Sequence, residues 1–173
     1  MKQNYNALIL KSVKITAGAI LAILFASCLN LKYSATAGII TILSIQNTKK
    51  ETIQTALARG EAFCCALLVS FLCYNFFGYT TAAFGIYLLI FTTLCLIMKW
   101  SSAIAMDSVL ITHFLAEKTM NIPMIANEIS LFLIGAGIGV LLNLSLRPKE
   151  NEWKDKIAKA DESIRAIIQR MAE

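Results

Sequence analysis

The sequence predicts an all-α, polytopic membrane protein with six transmembrane helices, the second and fifth of them short, and a C-terminal cytoplasmic amphipathic helix. Three observations predict it. The first is composition: among 173 residues, 57% are hydrophobic and 16% charged, too little polar surface to cover a soluble globule of this size. The second is that apolar runs recur six times, at residues 13–31, 34–46, 62–77, 80–98, 101–116 and 125–146. The third is the placement of charge. Threading the six runs through a bilayer leaves only Lys32 and Lys118, of sixteen lysines and arginines, on one side. Basic residues gather on the cytoplasmic side of membrane proteins, so both termini are expected inside a bacterial inner membrane. The net charge of +5 then reads as this inside bias together with contact to anionic lipid. No aromatic-basic surface motif accompanies it, and nucleic acid is not an expected partner.

Each run has its own logic. Residues 13–31 match the roughly 20 apolar residues that cross a bilayer core. Lys11 and Lys14 ahead of a stretch ending in Cys28 resemble a lipoprotein leader, but five further apolar runs follow, and the segment is read as a retained helix. Residues 34–46 are too few for a straight crossing. The third segment begins amphipathically at Thr52, which predicts one long helix leaving the cytosolic interface, with Arg59 and Glu61 snorkelling at its inner end. Asn75, Phe76, Phe77, Gly78 and Tyr79 read as an aromatic outer turn, and Lys99 with Trp100 as an inner interface.

The fifth run is short and carries Asp107 and the only histidine, His113; residues 117–123 are expected to form an outer loop. In the sixth, Gly135 and Gly139 form a GxxxG spacing that lets helix backbones approach, although glycines are common in membrane helices generally. Residues 1–147 are therefore a membrane unit and 148–173 a cytoplasmic one. In the latter, Trp153, Ile157, Ala160, Ile164, Ile167 and Met171 form a heptad seam. The seam runs nearly to Glu173 with no stop signal, so more chain is expected beyond it, and the glycine face and seam together predict a homo-oligomer. The five cysteines lie in apolar stretches without metal-type spacing and are expected as buried thiols.

Divided three plus three, the chain has its short segments at corresponding positions in halves of opposite orientation. Ser34, Ala35, Thr36 and Ala37 align with Ser102, Ala103, Ile104 and Ala105, and Ser44 then falls opposite Thr112. Paired short helices in inverted halves point to a transport path. Asp107 is the sharpest candidate on it. A carboxylate inside an apolar helix costs at least about 2.5 kcal/mol and normally faces a bundle interior or water; desolvation favours its neutral form, so it can carry a proton.

Histidine is a residue type suited to proton coupling, but His113 lies six residues from Asp107, about 9 Å along the axis and off its face, so the two cannot pair directly. Near the outer end an interfacial histidine needs no special role, but His113 stands after Asp107 as the second candidate for the coupling proton. Thr41, Ser44, Gln46 and Thr112 can bond a substrate or glue helices. Arg59 can attract an anion at the inner mouth or anchor the interface. There is no phosphate loop, no HExxH and no nucleophile–base set, and neither an enzyme, a cofactor nor a metal is expected.

Residues 34–46 (SATAGIITILSIQ) with Lys49, Glu51 and Arg59, residues 102–108 (SAIAMDS), and residues 132–144 (FLIGAGIGVLLNL) before a charged helix resemble the bacterial aromatic acid exporter family, related to fusaric acid resistance proteins. The resemblance covers nearly the whole chain. It implies a six-helix membrane domain, a cytoplasmic helical domain, and proton-driven efflux of small organic anions, aromatic carboxylates above all. Two departures stand out. The glycine-rich pattern expected after the arginine of helix three is replaced here by Gly60, Glu61, Ala62, Phe63, Cys64 and Cys65, and family members commonly continue further after the sixth helix. A non-transporting membrane scaffold acting through the cytoplasmic helix is the alternative.

Overall fold

The computed structural model describes residues 5–46, 49–145, 157–158 and 160–164, and six helices account for most of them: α1 (Tyr5–Cys28), α2 (Ala35–Leu43), α3 (Lys49–Phe77), α4 (Thr81–Ile97), α5 (Ile104–Glu117) and α6 (Ile122–Ser145). Polar side chains mark where helices start. Thr80 accepts from the backbone N–H of Ala83 ahead of α4, and Asn121 accepts from that of Met124 ahead of α6, each satisfying a donor that the first turn would leave orphaned. Pro123 sits in the first turn of α6, where its missing N–H breaks no helical bond.

α1 and α4 stop in the same way. Asn30 and Lys99 adopt left-handed backbone with φ of 53° and 62°. The next residue closes the helix end: Leu31 N–H donates to Ala26 O at 3.1 Å, and Trp100 N–H to Cys95 O at 2.7 Å. The turns that follow, residues 29–34 and 98–103, have equal length and feed the two short helices. α5 ends alike, with Lys118 at φ 50° and Thr119 N–H on Phe114 O.

Three of the helices contain apolar stretches long enough to cross a membrane: Ile9–Cys28, Glu51–Phe77 and Ile122–Leu144. α4 is apolar but shorter, with 17 residues. α2 has nine residues and α5 fourteen, about 14 and 21 Å of rise, so neither crosses a ~30 Å hydrocarbon core as helix alone. Leu24, Phe25, Leu68, Leu89, Leu133 and Leu141 stand exposed around the bundle. Water penalises so much bare apolar surface, whereas lipid chains suit it.

Successive helices run antiparallel, and their contacts define two ends. At one, the α1–α2 turn meets the end of α5 and the start of α6 through Lys32, Glu117 and Asn127. At the other, Arg59 of α3 meets the end of α2 and the turn before α5. α1 packs on α2 and α6, as α4 packs on α5 and α3; α2 packs on α6, as α5 packs on α3; α3–α6 and α2–α5 contacts bridge the middle. Exchanging α1 with α4, α2 with α5 and α3 with α6 reproduces this set of neighbours. Because each helix points opposite to its counterpart, the three-helix halves are inverted relative to each other.

The halves differ in filling. Around α2 the helices approach closely: a Cβ on Gly135 would lie 2.6 Å from Ala37 O, and one on Gly139 would lie 2.9 Å from Thr41 O. Around α4 and α5 the core is aromatic, with Tyr87, Phe91 and Phe114 fully buried.

Several expectations change. The glycine face proposed for association between copies is occupied by α2 of the same chain, because only a glycine surface admits a second backbone so near. Glu117 is the last residue of α5, and α6 starts at Ile122, so the turn between them is residues 118–121. Of the thiols, Cys73 and Cys95 are buried, but Cys28 and Cys64 are exposed on the apolar surface. Of the tail seam, Ile157, Ala160 and Ile164 are helical and exposed, whereas Trp153, Ile167 and Met171 lie outside the described residues.

Candidate functional site

Arg59, expected to snorkel at the inner end or to attract an anion there, does not snorkel: it is buried and bonded inside the bundle. The side chain is only 5% exposed. Its Nε donates to Ser102 O at 3.1 Å, and its Nη1 donates to Leu43 O at 2.9 Å and lies 3.4 Å from Ser44 Oγ. Leu43 closes α2, where carbonyls lack helical partners and the helix dipole is negative, so a guanidinium there satisfies both. Arg59 thus ties the last turn of one short helix to the turn entering the other.

Asp107 lies one turn further along, in the first turn of α5, with no exposed surface. Neither carboxyl oxygen has a hydrogen-bond partner among the described residues, and the Tyr87 hydroxyl and Ser108 Oγ face each other beside it. Arg59 is near enough for its charge to act on Asp107, and Asp107 acts on Tyr87 in turn. The helix N-terminus offers some compensation for negative charge. A buried carboxyl without a bonding partner is nevertheless expensive while ionised. What relieves it is a proton, a water or a ligand.

The remaining expected path residues divide. Thr41 is buried, and its hydroxyl is placed to donate to Ala37 O or, across to α6, Gly135 O, at 2.9 and 3.0 Å. Ser44 donates to Ile40 O while facing Arg59. Gln46 sits beside them, with Nε2 3.5 Å from Leu43 O. Thr112 bonds back to Val109 O on its own helix and joins no cluster. Gly135 and Gly139 hold α2 and α6 together, with the Ser44 side chain against Gly139.

His113 is not a peripheral histidine. It is 7% exposed, and its Nδ1 lies 2.7 Å from Oε2 of Glu128, which has no exposed surface. With Nδ1–H donating to the carboxylate, Nε2 faces Thr36 Oγ1 at 3.4 Å. Tyr33 stacks on the imidazole, ring centroids 4.0 Å apart. Asn127 Nδ2 donates to the other Glu128 oxygen at 3.0 Å and to Lys32 O at 3.2 Å, and Asn127 Oδ1 accepts from Lys32 N–H at 2.8 Å. Outside this layer Lys32 pairs with Glu117 at 2.8 Å. The bond from Lys32 holds the Glu117 carboxyl below the ordinary carboxylate range and the Lys32 ammonium above the ordinary lysine value.

Sequence reasoning missed Glu128, Asn127, Tyr33 and the Asn143–Thr52 pair that ties the end of α6 to the start of α3. The signal for Glu128 was present. It is a carboxylate three positions into an apolar run, the same argument that singled out Asp107. The offset that carries Ser34 onto Ser102 also carries Arg59 onto Asn127 and Phe77 onto Ser145.

Comparison with known proteins bears on this arrangement. The family model described as aromatic acid exporter family member 1 matches residues 7–146. The chain is also similar to uncharacterized protein YqjA of Bacillus subtilis (strain 168), at 36% identity over 150 residues, covering 85% of this chain and 47% of that protein. The chain thus spans about half the length of the curated relative it matches. No solved structure is matched.

Proposed function

Because the chain belongs to the aromatic acid exporter family, we propose that it is the membrane portion of a secondary transporter exporting small organic acids, aromatic carboxylates above all, from a bacterial cell in exchange for protons. The basic bias of the sequence orients it: the Arg59 end faces the cytoplasm and the Lys32 end the exterior. All six helices are read as crossing or half-crossing segments, with α2 and α5 at the centre of two inverted halves. Alternating access then consists of one half rocking against the other around the level where the short helices meet.

The observation that carries the proposal is Asp107. Its fully buried carboxyl has no hydrogen-bond partner among the described residues, beside the Tyr87 and Ser108 hydroxyls, in the first turn of a short helix. Such a group alternates between a neutral acid and a carboxylate only if its surroundings change, and a rocking motion supplies that change. Arg59 acts as a positioning residue, holding α2 and the start of α5 at one level. Inner lysines concentrate the anion at the cytosolic mouth.

Proteoliposomes test this directly. Radiolabelled benzoate should move with an imposed pH gradient in the wild type, and Asp107→Asn should lower gradient-driven flux at least about tenfold, the loss expected when a group carrying the coupling proton is neutralised. Equal flux in the variant removes Asp107 from proton coupling. Absence of flux of any organic acid in the wild type leaves the scaffold reading.

A further inference from the structure

The two ends of the bundle are braced by the same construction with opposite charge. At one end the cation Arg59, from α3, holds the last turn of α2 and the turn entering α5. At the other, Asn127 and Glu128, from α6, hold the last turns of α5 through His113 and the turn entering α2 through Lys32. The exchange of helices that maps one half onto the other maps one brace onto the other. Arginine keeps its charge at any physiological pH, so the Arg59 brace has one state. A histidine–carboxylate pair has two.

We propose that Glu128 and His113 form a proton-binding site whose single proton sets whether the Lys32 end of the bundle is braced or open. The inference rests on the exporter reading and adds to it the group that couples the outer end to external pH. With His113 neutral and Glu128 ionised, the buried pair carries one net negative charge; binding one proton, on the imidazole or on the carboxyl, brings the pair to zero. Burial penalises net charge strongly and a neutral or paired arrangement much less. The closed, bonded arrangement is therefore the protonated one, and loss of the proton favours separation and hydration of α5, α6 and the α1–α2 turn.

Among the described residues, no permanent cation contacts the pair to prevent this. The charged and titratable groups around it are Lys32 and Tyr33 from the α1–α2 turn, Glu117 from the end of α5, and Tyr74 from α3, whose hydroxyl donates to Ile111 O at 3.4 Å. The Lys32 ammonium is committed to Glu117. α2 offers Thr36, and α4 has only Tyr87 and Cys95 as titratable residues. A path from the surface is short: a depression of about 240 Å³ is lined by Lys32, Glu117, Met124 and Asn127, and Asn127 bonds Glu128 directly.

Two measurements test the site. Proteoliposomes of the 173-residue protein are assayed for benzoate self-exchange at equal pH and for accumulation driven by a pH gradient. Glu128→Gln keeps the shape and hydrogen-bonding capacity of the side chain but cannot gain or lose the proton. Its pair with His113 stays neutral at every pH, so the Lys32 end is expected to stay braced: exchange that rises with pH in the wild type is expected to fall at least about tenfold at the highest pH and to lose its pH dependence. Wild-type exchange that does not change with pH overturns the proposal, and so does a folded variant whose exchange keeps the wild-type rate and pH dependence.

The second measurement needs neither flux nor a variant. The chain has one histidine, so the ¹⁵N imidazole signals of untagged protein in nanodiscs report His113 alone. Imidazole signals that move with pH, through a proton gained on the ring or through a change in the bond to Glu128, support the site, and signals that do not move with pH overturn it, even where Glu128→Gln does not fold. A wild type that transports in neither mode sinks the exporter reading instead, and the imidazole titration then judges the proton site by itself.

Discussion

Asp107 and Glu128 are both sealed from solvent, yet their surroundings assign them different work. Glu128 is held on both oxygens, by His113 and Asn127, so truncating it leaves a buried imidazole without its partner. Glu128→Ala is expected to cost about 3 kcal/mol, read as a fall in the thermal midpoint of the detergent-solubilised protein, whereas Asp107→Asn abolishes no observed hydrogen bond and leaves the midpoint nearly unchanged. The surface pair Lys32–Glu117 behaves differently again. Its bond lowers the folded affinity of Glu117 for a proton and raises that of Lys32. The carboxylate's contribution is present above the ordinary carboxylate range and disappears as pH falls through the lowered value; the ammonium's is present below the ordinary lysine value and disappears as pH rises through the raised one. Glu117→Gln should therefore lower the midpoint by no more than about 2 °C at neutral pH, and by nothing once acid has protonated the wild-type group.

At the scale of elements, α2 is the most constrained part of the chain. It is nine residues long, too short to be stable alone, and it is kept helical by Gly38 against α1 and by Gly135 and Gly139 of α6. A side chain at Gly139 meets the Thr41 carbonyl and the Ser44 side chain, and backbone cannot yield cheaply. Gly139→Val is expected to destabilise by about 1–3 kcal/mol and to displace Ser44 from Arg59. Gly137→Val, where a Cβ meets nothing within 4 Å, should stay within about 0.5 kcal/mol of wild type. Unfolding midpoints of the two purified variants in one detergent make the comparison.

For the whole molecule, inversion of the halves and the basic bias combine into a topology that labelling can check. Single cysteines replacing Lys99 and Lys118, in a background with the native thiols changed to serine, should react with a membrane-impermeant maleimide from opposite sides: Lys118→Cys in intact cells and Lys99→Cys only in inverted vesicles. Reaction of both from the same side would exclude antiparallel crossing by α5 and with it the inverted arrangement. α1, α3 and α6 carry the apolar stretches long enough to cross a membrane, and in the proposed topology α2 and α5 lie among them.

The sequence by itself determined the membrane class, the existence and order of the six segments, the shortness of the second and fifth, and the weak correspondence between halves, because apolar length, charge placement and small-residue spacing are local properties of the chain. It also drew attention to Asp107, since an isolated carboxylate in an apolar run is costly wherever it ends up. Tertiary structure decided what each polar group does. Arg59 changed from an interfacial cation to a clasp between two short helices, His113 from the second candidate for the coupling proton to one member of a buried pair, and the glycine face from an oligomer surface to an internal one. All three depend on partners far away in sequence: Arg59 on Ser102, His113 on Glu128 and Thr36, Gly135 on Ala37. Hydropathy reports the cost of burying a polar side chain, but the partner that offsets the cost is chosen by which helices pack together.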